Sequence, residues 1–199
     1  MRNDFSFKAT ITKEEVAELP LHKFSGEVVY IETLENFDKV IHEIENVPFL
    51  GFDTETRPTF KKGRLNDVAL LQLSTNDTAY LFRLNKIGLP KRLAKILANK
   101  HIEKVGVAIH DDISTLQKLQ DFKPAGFVEL QQFVKKYGIE DNGLKKLTAN
   151  ILGFNISKRQ QTSNWEQEQL SVPQIEYAAT DAWVCYEIYN TLIQNKNVG

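Results

Sequence analysis

The stretch "VALLQLSTNDTAYLFRL", residues 68–84, decides the fold class. It contains two β-prone apolar runs, and only "NDT" (residues 76–78) separates them. A helical crossover between parallel strands needs about a dozen residues or more, so the two runs are predicted to form an antiparallel hairpin. The preceding run "PFLGFDTE" (residues 48–55) also has strand character, which extends the hairpin into an antiparallel meander.

Helices and further strands surround this meander. Helices are predicted after the capping box "TKEE" (12–15) and at "LENFDKVIHEIEN" (34–46), "PKRLAKILANK" (90–100), "DISTLQKL" (112–119), "QQFVKKYG" (131–138), "NGLKKLTANILG" (142–153, with Asn142 as N-cap) and from "SVPQ" (171–174) onward. Strands are predicted at "EVVYIE" (27–32), "KVGVAI" (104–109) and "FVEL" (127–130). A meander followed by alternating helices and strands indicates an α/β protein whose mixed sheet is flanked by helices.

Length and composition favour one enzyme-sized domain. The 199 residues, 42% of them hydrophobic and 26% charged, suit one domain over residues 1–199, with a short helical extension over about residues 1–25. The chain has no apolar run long enough to cross a membrane, no secretory signal at its start, and a single cysteine, Cys185. We therefore expect a cytoplasmic protein with no membrane partner.

Positive and negative charges nearly balance along the chain. There are 25 Lys and Arg residues against 26 Asp and Glu residues, so the net field does not by itself attract a polyanion. Local basic clusters do exist at "FKKGR" (60–64), "PKRLAK" (90–95), "LKK" (144–146) and "SKRQQ" (157–161). Most runs of this kind are solvated surfaces, but a cluster beside an active site would favour an anionic substrate.

Two carboxylates end the first strand of the meander. Asp53 and Glu55 are two residues apart, so they project from the same face of that strand. One interpretation is that the strand ends there and both side chains reach water. The other is a site for a hard divalent cation, whose charge offsets the repulsion between neighbouring carboxylates.

Further oxygen ligands stand at two other places in the chain. Asp111 and Asp112 follow a buried strand in "VGVAIHDDISTL" (105–116), where one of them would serve as an ordinary N-cap. Tyr177 and Asp181 are one turn apart in the last helix. An aspartate between alanines in mid-helix needs a partner if it is buried, and a cation would supply one.

The segments "FDTE" (52–55), "HDDISTL" (110–116) and "YAATDAW" (177–183) resemble, in the right order, the three motifs of the DEDD, or DnaQ-like, 3'-5' exonucleases. The pattern is similar to the DEDDy branch of that superfamily, and most similar to its Werner-type and ribonuclease D groups. "SNW" (163–165) adds to the Werner-type likeness. The resemblance implies a ribonuclease H-like fold with a mixed five-stranded sheet.

The resemblance also implies a role for each motif residue. Asp53 corresponds to the aspartate that bridges both metal ions, and Glu55 to the glutamate that binds one ion and contacts the attacking water. The motif II aspartate corresponds to Asp112, although the doubled aspartate leaves Asp111 open as the ligand. Asp181 corresponds to the last metal ligand, and Tyr177 to the residue that orients the water.

The activity implied by this set is two-metal hydrolysis of a nucleic acid from its 3' end, with release of nucleoside 5'-monophosphates. Oxygen ligands suit two Mg²⁺ or Mn²⁺ ions better than zinc. With an ordinary pKa near 10, tyrosine is better suited to position water by a hydrogen bond than to act as a base. The substrate would be a single strand or another 3'-end-containing DNA or RNA, and no protein partner can be named.

Substrate contacts are predicted from the basic and aromatic residues near the motifs. Candidates for contact with phosphate are Lys61, Lys62, Arg64, Lys158 and Arg159. Trp165 and Phe60 are candidates for stacking on a terminal base, and packing in the core is the alternative for both.

Two other functions compete with the exonuclease interpretation. A haloacid-dehalogenase-type phosphatase also carries an Asp-x-Asp at a strand end, but its sheet is parallel and it assigns no role to Tyr177 or Asp181. A non-catalytic nucleic-acid-binding module on the same fold is expected to have lost a metal ligand, whereas all four carboxylates are present here.

Overall fold

The structure is a computed structural model that describes residues 7–58 and 66–196. Six strands form one sheet: β1 Glu27–Ile31, β2 Phe49–Thr56, β3 Val68–Ser74, β4 Thr78–Phe82, β5 Glu103–Gly106 and β6 Phe127–Glu129. Their order across the sheet is β1-β4-β3-β2-β5-β6. The meander is confirmed, because β2 pairs antiparallel with β3 and β3 pairs antiparallel with β4, while the other pairings are parallel.

The five-strand count implied by the resemblance is wrong by one strand. The run predicted at residues 27–32 joins the sheet as β1, parallel to β4 with Glu27 opposite Thr78. It occupies the edge of the sheet, so the fold class is unchanged.

Helices cover both faces of the sheet. They are α1 Lys13–Glu18, α2 Leu34–Val40, α3 Leu84–Ile87, α4 Lys91–Leu97, α5 His110–Leu119, α6 Leu130–Phe133, α7 Leu144–Leu152 and α8 Val172–Lys196, with 3-10 turns at Ile41–Glu43 and Val134–Tyr137. The predicted helices 34–46 and 131–138 therefore each end in a 3-10 turn. The N-cap of α7 is Gly143, so the prediction of Asn142 at that position is wrong.

Alternation along β2 assigns its side chains to two cores. Leu50 and Phe52 belong to the cluster under α4 and α5, whereas Gly51 and Asp53 face α8 on the other side. A Cβ on Gly51 would lie 1.9 Å from the carbonyl oxygen of Ala182 in α8. The absent side chain therefore lets α8 lie directly against β2, which brings the last helix to the carboxylates of that strand.

The segment before β1 is anchored to the residues on both sides of α7. The amide of Ile11 donates to Asp141 Oδ2 at 2.8 Å, and the amide of His22 donates to the carbonyl of Asn155 at 2.8 Å. Thr12 caps α1 with the predicted capping box. Within the described ranges, no helix is both long and apolar enough to cross a membrane.

Candidate active site

Strand β2 and helix α8 together form a cluster of three carboxylates. Ligand atoms of Asp53, Glu55 and Asp181 all lie within 4.8 Å of one another. Only 8% of Glu55 and 2% of Asp181 is exposed. The sequence prediction that residues far apart in the chain meet Asp53 is therefore supported for Asp181.

Asp181 has only part of its hydrogen-bonding capacity satisfied. Its Oδ2 accepts a hydrogen bond from Lys158 Nζ at 2.8 Å. Its Oδ1 is buried and has no hydrogen-bond partner among the described residues. A buried carboxylate oxygen without a partner costs free energy, and this one is available as a cation ligand.

Burial and mutual repulsion raise the pKa values of these carboxyls. Burial and the charges of Asp181 and Asp112 raise the pKa of Asp53 well above its usual range. Burial, together with Asp53 and Asp181, raises the pKa of Glu55 to about 10. Because a divalent cation would offset this repulsion and supply a partner for the free oxygen of Asp181, the residues present fit a site for hard divalent metal ions.

Asp112 lies beside the cluster but outside it. Its Oδ1 accepts a hydrogen bond from Thr54 Oγ1 at 2.6 Å, and burial raises its pKa. Its neighbour Asp111 has a fully exposed side chain, 100% accessible, turned toward His110. Of the two aspartates left open by the sequence, Asp112 is the one near Asp53.

Neither aspartate caps helix α5, which corrects that expectation. The helix begins at His110, so both aspartates lie within its first turn. Among the described residues no side chain caps the helix; the carboxylate of Glu129, at the end of β6, instead accepts hydrogen bonds from the amides of Ala108 at 3.0 Å and Ile109 at 2.9 Å, just before the first turn. Sequence reasoning missed both Glu129 and Thr54, because only the tertiary structure brings them to this helix.

Tyr177 lies one turn before Asp181 and is 6% exposed. Burial and the negative charges of Asp181 and Glu55 raise its pKa. Its hydroxyl therefore stays protonated and can donate a hydrogen bond, as expected for a residue that orients water rather than one that acts as a base.

Lys158, which is predicted to contact phosphate, lies beside the carboxylates in this structure. Besides its bond to Asp181, its ammonium lies 5.4 Å from the centre of the Tyr177 ring. Burial lowers the pKa of Lys158, but Asp181 and Asp53 more than compensate, and the net shift is upward. In this structure its amino group therefore neutralises the carboxylates instead of reaching out toward a phosphate.

The other predicted substrate contacts have different outcomes. Trp165 is fully buried and packs 5.9 Å from Tyr177, ring centre to ring centre, so the prediction that it stacks on a terminal base is wrong and core packing describes it. Arg159 is exposed and lines a cavity of about 480 Å³ that also contains Tyr177. Phe60, Lys61, Lys62 and Arg64 lie outside the described residues.

The carboxylates open into a cavity of about 330 Å³, named here the carboxylate cavity. Asp53, Glu55, Tyr177 and Asp181 line one side of it, and Lys145 contributes to the lining at the start of α7. Lys145 belongs to the "LKK" run, which motif reasoning left as a surface cluster. It was missed as a site residue because nothing local in the sequence connects α7 with β2.

Known proteins share this fold. The family model described as 3'-5' exonuclease matches residues 28–196. The bifunctional 3'-5' exonuclease/ATP-dependent helicase WRN of Mus musculus is 32% identical over 196 residues, covering 93% of this chain and 14% of the mouse protein. This chain thus spans a small part of that relative's length.

Two solved structures show the likeness in three dimensions. The Nibbler EXO domain of Aedes aegypti has a TM-score of 0.78 and 25% identity, with 88% of this chain and 93% of that chain covered. RNase D of Escherichia coli has a TM-score of 0.75 and 20% identity, with 88% and 46% covered. These likenesses confirm the ribonuclease H-like fold class.

Proposed function

Since the chain belongs to the 3'-5' exonuclease family, we propose that it removes nucleotides one at a time from the 3' end of a nucleic acid by metal-dependent hydrolysis. One observation carries the proposal: ligand atoms of Asp53, Glu55 and Asp181 lie within 4.8 Å of one another in a largely buried cluster, whose mutual repulsion a divalent cation would offset. Mouse WRN is named for the same activity.

Asp53, Glu55, Asp181 and Asp112 would hold two divalent cations, Mg²⁺ or Mn²⁺. When bound, such ions supply positive charge for the reacting phosphate and a lowered pKa for water. Asp53 lies in strand β2 and Asp181 in helix α8, so cations held by both would link the two elements. Glu55 lies beside them and would accept a hydrogen bond from the attacking water. Asp112, held by Thr54 at 2.6 Å, would complete the set after a small movement.

Tyr177 would orient the water. Its raised pKa keeps the proton on the phenol, so it donates a hydrogen bond toward the reacting centre and does not compete for the metal ions. This role assigns the chain to the tyrosine branch of the superfamily. The expected product is a nucleoside 5'-monophosphate.

Lys158 would move when cations enter. Its ammonium now satisfies Asp181 Oδ2, which is one of the ligand atoms a cation would need. Once displaced, Lys158 is close enough to contact the phosphate of a bound strand, and Arg159 borders the adjoining cavity.

The substrate class is DNA or RNA with a free 3' end. The WRN relative is named an exonuclease and helicase, and the RNase D structure is titled an exoribonuclease involved in structured RNA processing. Both polymers therefore have to be tested with this chain. A cytoplasmic location stays a prediction of the sequence.

The proposal is tested with 5'-labelled single-stranded DNA and RNA, incubated with the chain in Mg²⁺, Mn²⁺ or EDTA. Ladders that shorten from the 3' end in either metal, and none in EDTA, are expected. Asp53→Asn is the control and should leave every strand intact. Wild-type chain that binds strands but leaves them all intact would instead favour a non-catalytic binding module.

A further inference from the structure

A second cavity adjoins the carboxylate cavity, on the side of the segment that precedes the family domain. It measures about 420 Å³ and is lined by Lys13, Val16, Ala17, Lys145, Lys146 and Asn155; we call it the lysine cavity. Lys145 lines both cavities, so the two are neighbours that share a wall. The family match begins at residue 28, and it therefore leaves α1 without a role.

The lysines of this cavity are placed where helix stability does not favour them. Lys145 and Lys146 lie in the first turn of α7, which has no acidic residue. The positive end of a helix dipole disfavours cations in the first turn. Lys146 is offset by Asp141 at 3.0 Å, whereas neither Lys13 nor Lys145 pairs with a carboxylate among the described residues.

The position of Lys13 is determined by packing. Helix α1 is capped by Thr12 and Glu15, and its Val16 is buried against Ile11 and Ala149 of α7. The Asp141 carboxylate that holds the Ile11 amide also pairs with Lys146. Lys13 is thus held over α7 as part of the folded protein, with its side chain exposed.

The chemistry of the cavity suits one kind of ligand. Val16 and Ala17 give it an apolar floor that fits sugar rings, and the ammonium groups around it fit phosphates. The shared Lys145 places this cavity next to the carboxylate cavity, where the scissile phosphate would lie. We propose that the lysine cavity binds the sugar-phosphate backbone of the substrate strand beyond the scissile nucleotide, an inference that rests on the proposed function.

Strand binding by the full chain tests this site. Fluorescence anisotropy of a 5'-labelled single strand is measured at several salt concentrations with Asp53→Asn protein, which leaves the strand uncut. Lys13→Gln, Lys13→Arg and Lys95→Gln are compared in that background. Lys95 is an exposed lysine of α4, which packs under the other face of the sheet, and is the matched control.

Lys13→Gln is expected to bind the strand about fivefold more weakly at about 0.1 M salt, because one phosphate contact on single-stranded nucleic acid contributes about 0.7 to the slope of log affinity against log salt. That slope should fall by about 0.7 as well. Lys13→Arg and Lys95→Gln should keep the affinity and the slope of the background protein. An unchanged affinity and slope in Lys13→Gln, or an equal loss in Lys95→Gln, overturns the proposal.

Hydrolysis assays on protein that keeps Asp53 distinguish a failure of the lysine-cavity proposal from a failure of the proposed function. If the wild type shortens strands and Lys13→Gln binds them normally, the lysine cavity is not the site and the exonuclease proposal stands. If the wild type cuts no strand and the Asp53→Asn protein binds none, both proposals fail together.

Discussion

Asp53 and Glu55 show at the level of single residues why a folded chain keeps like charges together. Among the described residues neither carboxylate pairs directly with an ammonium, because Lys158 is bonded to Asp181 and offsets the charges of Asp53 and Glu55 only in part. The cluster therefore destabilises the metal-free protein and prepares it to bind cations. A site selected for stability alone would replace one of these residues with an amide.

The pH dependence of folding follows from the pKa of Glu55. Its folded value of about 10 lies above the ordinary value of 4.5, so the folded state binds more protons in between, and stability falls as pH rises through this range. From about pH 5 to about pH 7.5, the free energy of unfolding of the metal-free chain, measured in urea, should fall by up to about 1 kcal/mol per pH unit. The profile ends at about pH 7.5 because burial lowers the pKa of Lys104 to about 8, and the titration of Lys104 would add to the change in stability above that limit.

Glu55→Gln is the matched variant for that experiment. It should be more stable than the wild type near neutral pH, with a flatter dependence on pH, because glutamine does not need to take up a proton when the chain folds. A wild type and a variant with parallel profiles would show that Glu55 is ionised in the metal-free protein, contrary to this account.

The doubled aspartate gives a second prediction at the residue scale. Asp112→Asn should lower turnover by at least about a hundredfold, since it would remove a ligand from the proposed metal set. Asp111→Asn, with its side chain fully exposed in the wild type, should stay within about twofold of the wild type. Steady-state hydrolysis of one labelled strand compares the two, and the opposite ranking would move the ligand to Asp111.

Single residues were predicted from the sequence where a motif has a local pattern. Asp53, Glu55, Tyr177 and Asp181 could be selected because strand alternation and helix spacing place each pair on one face. Thr54 and Glu129 could not, since their contacts with α5 depend on the tertiary structure. Trp165 was misplaced because sequence does not distinguish an aromatic residue that binds a base from one in the core.

At the scale of elements, the contact between β2 and α8 holds the site together. Gly51→Ala would place a methyl group 1.9 Å from the Ala182 carbonyl, so strand and helix would have to separate. We expect a loss of about 3 kcal/mol or more in the free energy of unfolding, measured in urea. Metal affinity should fall as well, because Asp53 and Asp181 belong to the two elements that move apart.

Gly143→Ala provides the control for that substitution. Nothing lies within 4 Å of the corresponding Cβ position, and the residue has a φ of −91° that alanine tolerates. Its stability should stay within about 1 kcal/mol of the wild type, the loss expected for alanine in place of glycine at a helix N-cap. Equal losses in the two variants would mean that the close approach of β2 and α8 is not the cause.

Strands were easier to predict than helix ends. Each predicted strand is present because β-branched and aromatic runs are bounded by turn residues, and the short "NDT" connection allowed only a hairpin. The tight 3-10 turns after α2 and α6 depend on packing and have no distinct sequence signal. The N-cap prediction for α5 was wrong because the helix already begins at His110, before both aspartates.

For the whole molecule, the near-neutral charge conceals an uneven distribution. The 26 acidic residues include the buried cluster at the site, while lysines of α1 and α7 border the neighbouring cavity. A nucleic-acid strand would thus contact the lysine cavity and be hydrolysed at the carboxylate cavity. Net charge alone could not predict this arrangement, because it sums the charges of the acidic cluster and of the lysines without regard to their positions.

Cation binding should stabilise the whole fold, since the site joins the sheet to its longest helix. At a hundred times the dissociation constant, Mg²⁺ or Mn²⁺ should add about 2.7 kcal/mol, or about 5 to 10 °C in melting temperature for a chain of this size. Differential scanning calorimetry with and without metal measures the shift. Asp53→Asn should show little of it, and NaCl at equal ionic strength should not reproduce it.

The most direct test of the central claim compares two labels on one strand. With Mn²⁺ or Mg²⁺, wild-type chain should release labelled nucleoside 5'-monophosphate at once from a strand labelled in its 3'-terminal nucleotide, and only late from one labelled at the 5' end. Asp181→Asn should release neither. Early release from the 5' label, or equal activity in Asp181→Asn, would contradict the account of a carboxylate-based 3'-5' exonuclease.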